Sequence, residues 1–113
     1  MSEEDPKFAA LQAMHPAASL HTEGGQPLAL VPGAKFIIAG GKSMEMTLLL
    51  FPAAHSGYVS RLFFERKLEG VGRSQNWNQH TVLGRAWWAP SWQGVNPDQP
   101  WTSMLCAHLR AVA

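Results

Sequence analysis

Residues 28–51 have the sequence LALVPGAKFIIAGGKSMEMTLLLF and set the architecture of this chain. Short apolar runs are separated there by Pro32-Gly33 and Gly40-Gly41, and such breaks favour hairpin-connected β-strands over helices. Antiparallel pairing is the simplest arrangement for strands joined by such short turns. The strands that we predict in this stretch cover residues 28–31, 34–39 and 44–51.

The elements on either side extend the prediction. A fourth strand is expected over residues 61–68, RLFFERKL, which has glycines on both sides. Asp5 and Pro6 are suited to begin a first helix, which should end at His15 because a residue before proline is pushed out of helical geometry. Asp98 is the expected cap of a last helix. The apolar face of that helix, at spacings of three and four, comprises Trp101, Met104, Leu105, His108, Leu109 and Val112.

Length and composition indicate one folded domain. The chain has 113 residues, enough for one hydrophobic core and too few for two. Hydrophobic residues make up 46% and charged residues only 15%, which excludes intrinsic disorder. We therefore predict a single α+β domain over residues 1–113, built as an antiparallel four-stranded meander with N- and C-terminal helices.

Charge and hydropathy exclude several classes of partner. The net charge of +1 supplies no field to hold a nucleic-acid backbone or an anionic membrane. The N-terminus is acidic and lacks the cationic and apolar regions of a secretion signal. The longest apolar run, residues 46–54, is far shorter than the roughly 20 residues that cross a bilayer. We expect a cytoplasmic protein that binds neither nucleic acid nor membrane.

Cofactor and metal sites are not indicated. The five histidines are never paired at the spacings of metal-binding helices or fingers, and the sole cysteine, Cys106, excludes zinc sites built from several thiolates. The segment Gly40-Gly41-Lys42-Ser43 resembles the end of a phosphate-binding loop, but Phe36 stands where that motif needs a glycine. A tight hairpin turn is the expected structure there, and no cofactor is expected.

Residues 70–100 show no sustained period of either kind, so we predict an irregular segment, and four of the five tryptophans lie in it. These are Trp77, Trp87, Trp88 and Trp92. Their rings are suited either to close the core or to present an apolar surface to a partner protein, and the sequence leaves both uses open.

Candidate reactive groups are few. Ser91 lies among the tryptophans and is a candidate hydroxyl nucleophile. His80, in the same segment, is a better candidate for acid-base chemistry than His108. Cys106 falls about 125° from the centre of the apolar face of the last helix, so we expect an inert thiol at the flank or on solvent. His108 lies on that apolar face and is expected to be a packing residue.

The order of helix, strand meander, irregular segment with a Trp-Pro element, and helix resembles a shortened ubiquitin-conjugating-enzyme (UBC) fold. The C-terminal third resembles a bacterial branch of this superfamily, found beside ubiquitin-like proteins, adenylating activating enzymes and deconjugating metalloproteases. Its matching residues are Leu83-Gly84-Arg85-Ala86-Trp87, Ser91, Pro100-Trp101 and Leu109-Arg110-Ala111-Val112. Residues 51–64 resemble the segment that enters the last strand of the family, so the likeness covers residues 44–112.

The chain departs from this family at the nucleophile. Ordinary members have a His-Pro-Asn segment followed by a cysteine that carries a thioester. Here residues 76–80, NWNQH, occupy that neighbourhood without the proline, and no cysteine follows before Trp87. Thioester chemistry of the ordinary kind is therefore not expected.

Two functions remain under this resemblance. In the first, Ser91 accepts the acyl group of a ubiquitin-like protein as an oxyester, with Asn76 or Asn78 as oxyanion donor and His80 as base. In the second, the chain is an inactive module that binds a ubiquitin-like protein or its adenylating activating enzyme. The binding residues in that case would be Trp77, Arg85, Trp87, Trp88 and Trp92. A small structural or assembly protein without a link to ubiquitin is the third alternative.

Overall fold

A computed structural model describes residues 6–55, 57–68, 77–92 and 94–113 of the chain. Over these residues the chain forms six β-strands with one α-helix before them and one after them, and a single 3₁₀ turn, Arg110–Val112, follows the second helix. The elements are α1 (Pro6–Met14), β1 (Ser19–Glu23), β2 (Gln26–Ile38), β3 (Lys42–Phe51), β4 (Arg61–Phe64), β5 (Trp77–Val82), β6 (Arg85–Pro90) and α2 (Trp101–Leu109).

The strands form one antiparallel sheet in the order β1-β2-β3-β4-β6-β5. This confirms the α+β class with a helix near each end. The sheet has six strands instead of the four predicted. β1 escaped prediction because its sequence, SLHTE, is largely polar and its residues are half-buried or exposed at the sheet edge.

One long strand replaces the first two predicted strands. β2 runs through Pro32-Gly33 without turning, because these two residues together oppose Thr47 between the pairs Val31–Leu48 and Ala34–Met46. This arrangement is a β-bulge, which tolerates a proline inside a sheet. Gly33 has a φ of 62°, the left-handed conformation that suits glycine at such a position.

The predicted turn at Gly40-Gly41 is confirmed. Ile38 pairs with Lys42 to close the β2–β3 hairpin, and the Gly41 amide donates to the Ile38 carbonyl at 3.0 Å. Both glycines have positive φ, at 88° and 78°. The Ala39 amide donates to the Val112 carbonyl at 2.8 Å and so ties this end of the sheet to the C-terminus.

The predicted irregular segment contains a second hairpin. β5 and β6 pair over their whole length and are joined by Leu83-Gly84, where φ is 53° and 74°. The sequence obscured this turn because a leucine occupies a left-handed position usually taken by Asn, Asp or Gly. β6, RAWWAP, also places a tryptophan on each of its faces, so it lacks the polar–apolar alternation of a half-exposed strand.

Strands β1 to β4 form a meander, and other elements pack on both of its faces. Apolar residues of α1 and α2, including Leu11 and Met104, pack on one face in the larger core cluster. The β5–β6 hairpin covers the other face, where Trp87 contacts a cluster that includes Leu49 and Phe63. The amide of Leu83, at the hairpin tip, donates to Glu23 Oε1 at 2.7 Å, so the hairpin reaches the far edge of the sheet.

The helix boundaries are close to prediction. α1 covers Pro6–Met14 as expected, and its predicted cap, Asp5, lies outside the described residues. α2 begins at Trp101 with Pro100 in the cap position and no side-chain cap, so the Asp98 cap is wrong. The Asp98 amide instead donates to Asn96 Oδ1 within the preceding turn. In the part of the chain that the structure describes, neither helix is long and apolar enough to cross a membrane.

Candidate functional site

Ser91 and His80 are not brought together by the hairpin. Ser91 follows the last residue of β6, whereas His80 pairs with Trp87, four residues earlier on that strand. At the rise of an extended chain this places their backbones about 13 Å apart. A hydroxyl and an imidazole span much less than this distance, so His80 is not positioned to take the proton of Ser91.

The structure describes only one of the two predicted oxyanion donors. Asn76 lies outside the described residues. Asn78 is exposed on β5 and pairs with Ala89, two residues before Ser91. Asn78 is therefore nearer to Ser91 than His80 is. Ser91 itself is half-buried.

Among the predicted partner-binding residues, Trp87 belongs to the core. It has no exposed surface, and its Nε1 donates to the Val82 carbonyl at 3.0 Å. Arg85 is exposed and stacks on this ring at 4.3 Å from its centroid. The structure therefore places Trp87 in the core, whereas the sequence predicts it on a partner-binding surface.

The other three predicted tryptophans are half-buried. The rings of Trp77 and Phe64 are 5.2 Å apart, and Trp92 Nε1 donates to a carbonyl of α2 at 3.1 Å. Trp88 lies on the opposite face of β6 from Trp87, with the Lys67 ammonium 4.9 Å from its ring. Trp88 is thus oriented away from the Trp87 cluster.

Cys106 is exposed on α2, as its place on the helical wheel predicts. It lines a groove of about 490 Å³ together with Met14 from the end of α1 and Arg110 from the 3₁₀ turn. Cys106 therefore lies on the helical side of the molecule.

Ser60 and His108 form a buried pair that no sequence motif predicts. The Ser60 hydroxyl donates to the Val95 carbonyl at 2.8 Å and lies 2.9 Å from His108 Nε2. Because the single hydroxyl proton is directed at Val95, we assign the proton of this second bond to His108 Nε2. Burial, and secondarily the charge of Arg61, lowers the pKa of His108 to about 4. The pair therefore ties α2 to the sheet, and His108 is the packing residue that the sequence predicts.

Arg61 is the least expected residue of this region. Arg61 is the first residue of β4, and it is only 3% exposed. Nη2 donates to the Pro90 carbonyl at 3.3 Å, and the guanidinium lies 4.1 Å from the centroid of the Tyr58 ring. No carboxylate of the described residues pairs with it. Burial lowers the pKa of Arg61, since desolvation penalises the charged form.

Two histidines complete the cluster around Arg61. The rings of His55 and His80 are 5.2 Å apart, and both pack edge-on against Phe63. His55 Nδ1 and His80 Nε2 are buried and have no hydrogen-bond partner in the described chain. Burial lowers the pKa of both residues, and the charge of Arg61 lowers each further, while Glu23 opposes the shift at His55. Both imidazoles are therefore neutral at pH 7. We name Arg61, His55 and His80 the arginine cluster.

The chemistry of the arginine cluster is that of a cation and neutral nitrogen groups. No sequence pattern predicts this cluster, because its members come from three separate segments and show no common spacing. Within the described ranges, no group of three or more histidine, cysteine or acidic side chains is placed to hold a metal ion. Comparisons with family models, curated proteins and solved structures found no match to the chain.

Proposed function

We propose that this chain is a UBC-like component of a bacterial ubiquitin-like conjugation pathway, acting as a binding module for a ubiquitin-like protein or its adenylating activating enzyme. The order of its elements is the observation that supports this proposal. α1 precedes four strands that are neighbours in both chain and sheet, and α2 follows them on the same face as α1. A helix, a strand meander and a final helix in this order are the features on which the resemblance to the UBC fold is drawn.

The geometry favours binding over catalysis. The register of β5 and β6 pairs His80 with Trp87, so His80 lies about 13 Å along the strand from Ser91 and is not placed to be its base. Ser60, the serine that does contact an imidazole, is buried and directs its proton to Val95. Because His108 Nε2 donates to Ser60, that imidazole does not accept the Ser60 proton.

Trp88 is the residue on which the binding proposal is best tested. Its half-buried ring lies on the outer face of the hairpin, and the cation of Lys67 lies over it. A large ring beside a positive charge is typical of residues that contribute strongly to protein interfaces. We expect Trp88 to contact the partner protein.

The experiment measures calorimetric binding of the ubiquitin-like protein and the activating enzyme from the same genome. Trp88→Ala is expected to weaken one of these affinities about tenfold or more, with an unchanged circular dichroism spectrum. Ile37→Ala is the matched control, because Ile37 is also a large apolar residue, is 57% exposed, and lies elsewhere on the sheet. If folded Trp88→Ala binds the partner with full affinity, the proposed binding surface is wrong. Absence of binding by the unmodified chain would favour a structural or assembly protein.

Acyl transfer through Ser91 is the second candidate, and one contact favours it. Ser91 directly follows Pro90, whose carbonyl accepts a hydrogen bond from Arg61, so a buried positive charge lies one residue from the hydroxyl. Positive charge and N–H donors near a reacting carbonyl stabilise a developing oxyanion.

Incubation with the activating enzyme, its ubiquitin-like protein and ATP tests this candidate. An oxyester on Ser91 predicts an adduct that resists thiol reductant, is cleaved by hydroxide and is lost in Ser91→Ala. Cys106→Ala should leave that adduct unchanged, since Cys106 lies on α2. An adduct lost in Cys106→Ala and retained in Ser91→Ala would assign the chemistry to the thiol.

A further inference from the structure

The arginine cluster contains a buried charge that the described residues do not neutralise. Arg61 is 3% exposed, and its polar contacts there are one long hydrogen bond, to the Pro90 carbonyl, and the face of Tyr58. Buried charges in proteins are usually paired, because removal of an ion from water is costly. A guanidinium held this way is suited to receive an anion.

The guanidinium of Arg61 has more donors than the described residues are seen to accept from. Its carbon atom lies 4.1 Å from the centroid of the Tyr58 ring, and a guanidinium carries five N–H groups that point outward in its plane. One of these donors is used by Pro90. The remaining in-plane donors match a planar group with two acceptor oxygens, which is the geometry of a carboxylate.

The two imidazoles add donors on the same side of the sheet. Arg61 pairs with Phe51 across β3 and β4, and Phe51 packs against His55, which in turn contacts His80. Each imidazole has one buried nitrogen without a partner in the described chain. A neutral imidazole carries one N–H, and either tautomer is available to donate it to an oxyanion.

The loop between β3 and β4 brings Tyr58 next to the arginine cluster. Tyr58 belongs to this loop, which is closed by reciprocal backbone hydrogen bonds between His55 and Tyr58 at 2.8 and 3.0 Å. The Tyr58 ring is half-buried. Because Arg61 is only 3% exposed, an anion reaches the guanidinium only if side chains that cover it, such as that of Tyr58, move.

We propose that Arg61, His55 and His80 together form a binding site for a carboxylate anion. Arg61 supplies the charge and the paired N–H donors, and the two imidazoles supply single donors at its side. This proposal does not depend on the ubiquitin-like pathway. The carboxylate could belong to a free small molecule or to the C-terminus of a peptide, and the choice of probes separates these sources.

Thermal unfolding of the full chain tests the site with acetate, N-acetylglycine, N-acetylglycinamide and inorganic phosphate, each compared with chloride at equal ionic strength. Acetate represents a small carboxylate, N-acetylglycine a peptide C-terminus, and the amide is its uncharged counterpart. For a Kd of about 1 mM, 10 mM ligand should raise Tm by about 5 °C or more. Only the carboxylates should do so. A preference of N-acetylglycine over acetate would indicate a peptide terminus.

Two arginine variants locate the effect. Arg61→Met keeps an unbranched apolar stem of similar length and removes the charge, so the carboxylate-dependent rise in Tm should be lost. Arg85→Met is the matched control, because Arg85 also stacks on an aromatic ring but is exposed. Arg85→Met should keep the full rise. Retention of the rise in Arg61→Met would overturn the proposal.

Proton–nitrogen NMR of the histidine rings in the unmodified protein supplies a test that needs no variant. Titration with N-acetylglycine or acetate should shift the resonances of His55 and His80 while leaving His15 and His21 unchanged. Equal shifts at all four histidines would show non-specific binding and contradict the site. A response to phosphate without a response to either carboxylate would overturn the assignment of the ligand.

Discussion

Replacement of His108 by glutamine should make the protein markedly less sensitive to mild acid. The Nε2 atom of His108 lies 2.9 Å from Ser60 Oγ, deep between α2 and the sheet. The amide nitrogen of glutamine can occupy a similar position and donate the same hydrogen bond, but it does not titrate. His108→Gln therefore removes the proton-binding group while it keeps the contact.

The magnitude follows from the pKa of His108. Burial and the nearby Arg61 charge lower this pKa from 6.5 to about 4, so the folded protein resists protonation that the unfolded chain accepts. At pH 7 both states are largely neutral and the effect is small. As the pH falls from 6.5 towards 4, the unfolded state gains the proton and the free energy of unfolding decreases. Linkage gives a loss of about 2 kcal/mol by pH 5 and about 3 kcal/mol by pH 4.

Urea unfolding at pH 7 and at pH 5, followed by tryptophan fluorescence, measures this loss. His55 and His80 add losses of the same sign, because their pKa values are lowered too, and these persist in the variant. The difference between the two proteins isolates His108. His15→Gln, at the end of α1, is the control for histidine replacement and should retain the acid sensitivity that His108 contributes. An equal loss of stability in His108→Gln and the unmodified chain would refute the reasoning.

Three further stability predictions are checked by the same urea titration at pH 7. Trp87→Ala removes a fully buried ring and its hydrogen bond and should cost about 3–5 kcal/mol, whereas half-buried Trp88→Ala should cost clearly less; similar costs would contradict their placement. Ser60→Ala leaves a buried carbonyl and imidazole without their partner and should cost about 1–3 kcal/mol; a neutral effect would argue against the assigned bonds. Gly41→Ala imposes a side chain at a φ of 78° in an open turn and should cost about 1 kcal/mol, whereas a gain in stability would contradict that backbone conformation.

Local sequence signals were sufficient for the helices and for one hairpin. Pro6 at the start of α1 and His15-Pro16 after it define that helix through the conformational limits of proline alone. Gly40-Gly41 defines the β2–β3 turn because glycine adopts positive φ without steric cost. The spacing of three and four in residues 101–112 likewise identifies the buried face of α2, including His108.

Local sequence signals gave wrong predictions where the conformation depends on pairing with neighbouring strands. Pro32-Gly33 has the composition of a turn, yet β3 pairs on both sides of it and converts it into a bulge. Residues 70–100 lack a period because Trp87 and Trp88 lie on opposite faces of β6, one in the core and one half-exposed. Only contact with the meander determines which of these rings is buried.

The amino-acid sequence by itself determined the α+β class, the helix boundaries and the exposure of Cys106, because each depends on residues a few positions apart. The tertiary structure decided the candidate sites. It separates Ser91 from His80 through the register of one hairpin, and it gathers Arg61, His55 and His80 from segments without a shared spacing. Burial creates the properties of that cluster, since a guanidinium and two imidazoles acquire lowered pKa values only when the fold removes them from water.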